Sequence, residues 1–185
     1  MVAVIIVIVV LVLLVLFGVS AYNSLVKLRN RVDEAYAQID VQLKRRYDLI
    51  PNLIETVKGY AAHEKEVFEA VSAARAGAMG ASGVAQTAEA NAQLTGALGR
   101  LFAVSEAYPD LKANQSFLAL QEELTGTENK IAFARQYYNE NVKTLNTRIE
   151  TIPYSFFAGA AKAVKRDYFE VPEGSAEREV PKVQF

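Results

Sequence analysis

Arg45, Asp48, Asn52 and Glu55 follow one another at steps of three or four residues, so on a helix they share one face. Further on, Asn114, Gln121, Glu128 and Arg135 recur every seven residues, with Asn129, Tyr138 and Asn139 nearby. Carboxylates placed this way, Asp48, Glu128 and Glu55, are what a metal ion or an acid–base reaction would need. The same residue types suit a structural role, in which acids, amides and arginines pair between helices and fix their register. That inter-helix polar layer, built from Arg45, Asp48, Asn52, Glu128 and Arg135, is the expectation. A di-iron bundle would require Glu-x-x-His on its helices; here the single histidine, His63, is followed by Glu64 and lacks a glutamate at that preceding position. His63 with Glu64 reads as a helix-end or surface residue rather than a proton-handling pair. G-x-S-x-G, GxxxxGK and H-E-x-x-H are all absent, so no nucleophile, metal or cofactor is expected, and the chain reads as non-enzymatic.

Composition narrows the partners. Lys and Arg number 20 against 21 Asp and Glu, which leaves no basic excess to neutralise phosphates, and no nucleic-acid partner is expected. Cysteine is absent, which removes disulfides and thiolate chemistry. Residues 2–17 are all apolar, and the first charged side chain is Lys27. About 20 such residues cross a hydrocarbon core of roughly 30 Å as a helix, so residues 2–22 are expected to span a bilayer. "FGVSAYNSL" is a poor cleavage site, which favours a retained anchor over a secretory signal. Lys27, Arg29 and Arg31 follow the span, and the positive-inside bias then places the larger part in the cytoplasm with the N-terminus out; the periplasmic orientation is the alternative.

The elements that must position the polar layer are long helices. Apolar or small residues recur at Leu25, Leu28, Val32, Tyr36, Ile39, Leu43, Tyr47, Ile50, Ile54, Val57, Ala61, Phe68 and Val71, a single seam at helical spacing. Its phase is not reset at Pro51, and "DLIPNLIE" offers no cluster of turn residues. A kinked helix running on to about residue 76 is therefore predicted, with a tight corner at residues 50–52 as the alternative. The proline deletes its own hydrogen bond to the Tyr47 carbonyl, at a cost of about 3 kcal/mol that packing must offset. "AGAMGASG" supplies a turn, Val84 to Ala107 a second helix, "YPD" a proline turn, and Asn114 to Thr151 a third helix seamed by Leu118, Leu124, Ile131, Tyr138, Leu145, Ile149 and Ile152. A short fourth helix is expected at 154–166. Tyr154, Phe156, Phe157, Tyr168 and Phe169 could line a partner groove or dip into a membrane surface, but closing the open end of the bundle is preferred.

"RRYDLIPNLIETVKGYAAHEKEVFEAV", "YPDLKAN", "ELTGTENKIAFARQYYNENV" and "YFEV" resemble the signature segments of the LemA family, in the same order and over essentially the whole chain. The resemblance implies an all-α protein: a one-span bacterial inner-membrane anchor continuing into an antiparallel bundle of long helices. The expected division is an anchor at 1–26, a bundle at 27–169 and a charged tail at 170–185. The expected function is a membrane-anchored scaffold or interaction protein that forms homo-oligomers and meets a membrane-protein partner. A sensor or signalling adaptor whose bundle binds a small ligand, with Pro51 as hinge, is the alternative.

Overall fold

A computed structural model describes residues 1–170, in which every regular element is a helix. In chain order these are α1 (Val2–Lys58), α2 (Lys65–Gly80), α3 (Val84–Glu106), α4 (Pro109–Lys112), α5 (Gln115–Glu150) and α6 (Ser155–Ala158). The all-α expectation holds, and α1 continues through Pro51 without turning back. The expected tail lies outside the described residues from position 171 onward.

Two expected helix bounds are corrected. The first long helix ends at Lys58 rather than near 76, and α2 begins only at Lys65. Gly59 stands just past the last seam residue of α1, Val57, and the Ala61 amide closes a turn onto the Val57 carbonyl at 2.9 Å. The apolar phase nevertheless carries across the gap through Ala61, Phe68 and Val71, all buried. That continuity hid the break. The second correction is at 154–166, where the helix is only Ser155–Ala158.

The described chain divides into two compact units, one of Met1–Gln38 with Ala134–Asp167, the other of Ile39–Phe133 with residues 168–170. In the first unit, residues 2–16 are exposed throughout and burial begins at Ala21 and Leu25. Leu25, Leu28, Val32 and Ala35 of α1 are buried, as are Tyr138, Val142 and Leu145 of α5. Each large apolar side chain so buried contributes roughly 1.5–3 kcal/mol. The chain after α6 needs no helix because α5 satisfies its backbone: Asn146 Nδ2 donates to the Arg166 carbonyl and the Arg166 amide donates back to Asn146 Oδ1, both at 2.9 Å, while the Tyr138 hydroxyl donates to the Asp167 carbonyl at 2.9 Å. Arg29 Nη1 donates to the Ala161 carbonyl at 3.0 Å, and Arg166 pairs with Asp33 at 2.9 Å.

In this unit burial pushes the Tyr138 phenol up to about 12, with the Arg166 charge opposing and Tyr36, Asp167 and Asp33 reinforcing. The folded state therefore keeps its proton where the unfolded chain, titrating at the ordinary phenol value of 10.0, has lost it. Tyr138 should contribute stability that is complete below about pH 10 and is lost as pH rises towards about 12. Melting curves across that window should fall more steeply for the wild type than for Tyr138→Phe; parallel slopes would refute the assignment.

In the second unit the α1 seam continues through Ile39, Leu43, Ile50, Leu53, Ile54 and Val57. α2 and α3 pack together across the turn at 81–83, where Gly83 takes φ +80°, a conformation that strains residues with a Cβ. Pro109 opens α4, and the Asn114 side chain accepts from the Phe117 amide at 3.0 Å, capping the start of α5. On α5, Phe117, Leu124 and Ile131 are buried, whereas Leu118, expected on the seam, is 46% exposed.

Candidate functional site

The polar grouping of the second unit centres on a buried arginine, and it is Arg46, not Arg45. Arg46 lies three residues after Leu43 and four before Ile50, in the phase of the apolar seam, and it is 2% exposed. Its Nη2 donates to Thr95 Oγ1 at 2.7 Å and its Nη1 to Asn91 Oδ1 at 3.4 Å, both on α3. Its Nε stands 2.7 Å from Glu128 Oε1 of α5, a contact that is an ion pair without the alignment of a good hydrogen bond. The Tyr47 hydroxyl sits between the two ends of the Asn91 amide, 2.9 Å from Nδ2 and 3.1 Å from Oδ1, and Nδ2 also donates to the Thr87 carbonyl at 2.8 Å. Asn91 occupies the α3 face that also carries Leu94, Leu98 and Leu101, and like them it is buried.

A second arginine answers the proline. Pro51 has no amide hydrogen to give the Tyr47 carbonyl, one turn back. From α2, Arg75 Nε donates to that carbonyl at 2.7 Å. A charged donor on a neighbouring helix thus stands in for the one that α1 lacks.

The residues expected to form the layer are distributed differently. Arg45 is exposed and pairs with Glu123 at 2.8 Å on the rim. Asp48 and Asn52 are exposed, Asn52 offering only its carbonyl to the Thr56 hydroxyl at 2.8 Å. Glu128 meets Arg46, and Arg135 belongs to the first unit, where it is partly buried. Pro51 is exposed inside α1. One position along a helix is a rotation of about 100°, which separates the solvent-facing Arg45 from the core-facing Arg46. The signal available in the sequence was a charged residue on the seam itself, together with Asn91 on the seam of α3.

His63 is exposed, and Glu64 accepts from the Tyr108 hydroxyl at 3.4 Å. Among the described residues no three His, Cys, Asp or Glu side chains are grouped to hold a metal ion. What the Arg46 cluster offers chemically is a delocalised cation held by a carboxylate, an amide and a hydroxyl from two other helices, an arrangement that tolerates little sliding of any one of them.

The sequence model of the LemA family matches residues 35–185, which include both arginine sites. The chain belongs to the LemA family. Among its relatives are the magnetosome proteins MamQ 1 and MamQ 2 of Paramagnetospirillum magneticum, each 26% identical over 83% of this chain and 66% of the relative. The magnetosome protein MamQ of Magnetospirillum gryphiswaldense is 25% identical over 88% of this chain and 70% of its own length. Protein LemA of Metamycoplasma hominis is 26% identical over 83% and 68%. The chain thus spans just under two thirds of the length of the first two relatives. Within α1, the apolar N-terminal part is long and apolar enough to cross a membrane. Together these make it a membrane-linked helical protein of the LemA family.

Proposed function

We propose that this LemA-family protein is a membrane-anchored helical scaffold that self-assembles and presents its bundle to partners on the cytoplasmic side of the bacterial inner membrane. The observation that supports this reading is large apolar side chains left exposed outside the anchor, Val41, Met79 and Phe133 being 64%, 56% and 73% exposed. A second copy of the chain or a membrane-protein partner would cover it. The buried Arg46 cluster supports the same reading, because a surface meant for assembly must keep its helices in one register. Relatives include magnetosome proteins and a protein named only for the family, which fits a scaffold used in more than one setting better than a single fixed reaction. Lys27, Arg29 and Arg31 support the cytoplasmic orientation.

Purified in mild detergent, the full chain should have a protein mass of at least twice 20.3 kDa. Phe133→Ser should shift it towards the monomer without lowering the melting temperature. A strictly monomeric wild-type particle at working concentrations would sink self-assembly.

A further inference from the structure

The corner after α5 is packed onto the end of the apolar segment. Within the first unit, the Phe17 ring lies 6.2 Å from that of Tyr154 and 6.4 Å from that of Phe157. Gly18 leaves room for this: a Cβ there would stand 3.3 Å from the Phe157 ring. The Arg148 guanidinium covers the Tyr154 ring at 4.4 Å. With Phe157 and Tyr154 turned to α1, the other apolar side chains of the corner point away, Ile152 and Phe156 each being 76% exposed.

The level of this corner follows from α1. Residues 2–16 have no protein packed over them, and burial begins at Ala21. A span of about 20 residues starting at Val2 ends near Tyr22, so Phe17 sits roughly 7 Å inside that end. A bilayer that accepts residues 2–22 therefore brings its interfacial zone to Phe17 and to whatever is fixed against it. Two exposed apolar side chains at that level, beside an aromatic ring under an arginine, match the composition of a membrane-interface belt.

We propose that the α6 corner is a second membrane contact, in which Ile152 and Phe156 insert into the interfacial zone of the same bilayer that residues 2–22 enter, fixing the rotation of α1 about its axis. The proposal rests on the reading of residues 2–22 as a span. Its occupant is lipid, because the corner is continuous with the lipid-facing segment through Phe17, and a partner protein would have to reach it within the headgroup layer.

The chain has no tryptophan, so single substitutions report unambiguously. Leu11→Trp, Phe156→Trp and Ile152→Trp would each be reconstituted as full chains in phosphatidylcholine vesicles carrying bromines at graded acyl depths. Leu11→Trp should be quenched by deep bromines. Phe156→Trp and Ile152→Trp should be quenched best by bromines nearest the headgroups, with blue-shifted emission. Water-like emission and no quenching at 152 and 156, with Leu11→Trp still quenched, would overturn the proposal and leave the span intact. Blue-shifted emission without quenching would assign the corner to a contact with protein, within the chain or with a second copy, and overturn it equally. Loss of quenching at all three positions would mean that the span reading itself had failed, and the corner contact with it.

Discussion

Arg46→Ala is expected to cost on the order of 3–5 kcal/mol, a drop large enough to abolish a cooperative melt in a marginal bundle. The substitution removes a side chain that is 2% exposed and strips Asn91, Thr95 and Glu128 of their shared donor at once. Glu128→Ala should cost less, about 2 kcal/mol, for two reasons. Its side chain is 38% exposed, and Arg46 then keeps the amide and hydroxyl on α3. Replacing the pair together, Arg46→Met with Glu128→Leu, should recover most of the loss, because a buried ion pair exchanged for apolar groups of similar volume is close to neutral. Denaturant titration of the four proteins gives the coupling directly. If the double variant is as stable as the wild type but loses self-association, the ion pair serves register rather than stability. Should Arg46→Ala melt like the wild type, the arginine would have to be treated as a functional group held ready for a ligand.

Arg45→Ala is the natural comparison, and it also shows what the sequence made legible. Most residues of the α1 seam are readable from spacing alone, from Leu25 to Val57, because burial of one helix face leaves a period in the apolar residues, although Ala35 and Leu53 are buried outside the expected series and Tyr36 within it is only partly buried. Charged residues leave no such record. Arg45 and Arg46 are the same residue type one position apart, and what separates them is which side of α1 faces α3 and α5, a tertiary fact. Grouping the polar residues with one another points to Arg45, whereas the spacing of Arg46 from Leu43 and Ile50 points inward. The break at Gly59 was obscured for the related reason that α2 resumes the same apolar phase. The irregular chain after α6 was not legible either, since what holds it, Asn146 and Tyr138, lies on another helix.

The proline poses the sharpest test of how the bundle is built. Because Pro51 lacks an amide hydrogen, the stability of α1 at this turn is lent to Arg75, whose Nε reaches the Tyr47 carbonyl at 2.7 Å. A hydrogen bond from a charged donor is worth about 1.5–3 kcal/mol, so Arg75→Ala should lower stability by that order. Pro51→Ala should raise it, since the new amide can donate within α1 and the ring no longer presses on the preceding turn. The decisive quantity is the cycle between them. In the Pro51→Ala background the Tyr47 carbonyl has a helical donor again, and Arg75→Ala should then cost at least about 1 kcal/mol less than in the wild type. Equal costs in both backgrounds would show that Arg75 matters only through its packing. The same variants bear on the sensor alternative, in which Pro51 is a hinge: bending there must first release the arginine, so Arg75→Ala should loosen the turn and speed amide exchange near Tyr47. If Pro51→Ala stabilises the bundle and partner binding is unchanged, α1 works as a strut at this point, and the arginine is what makes a proline tolerable in it.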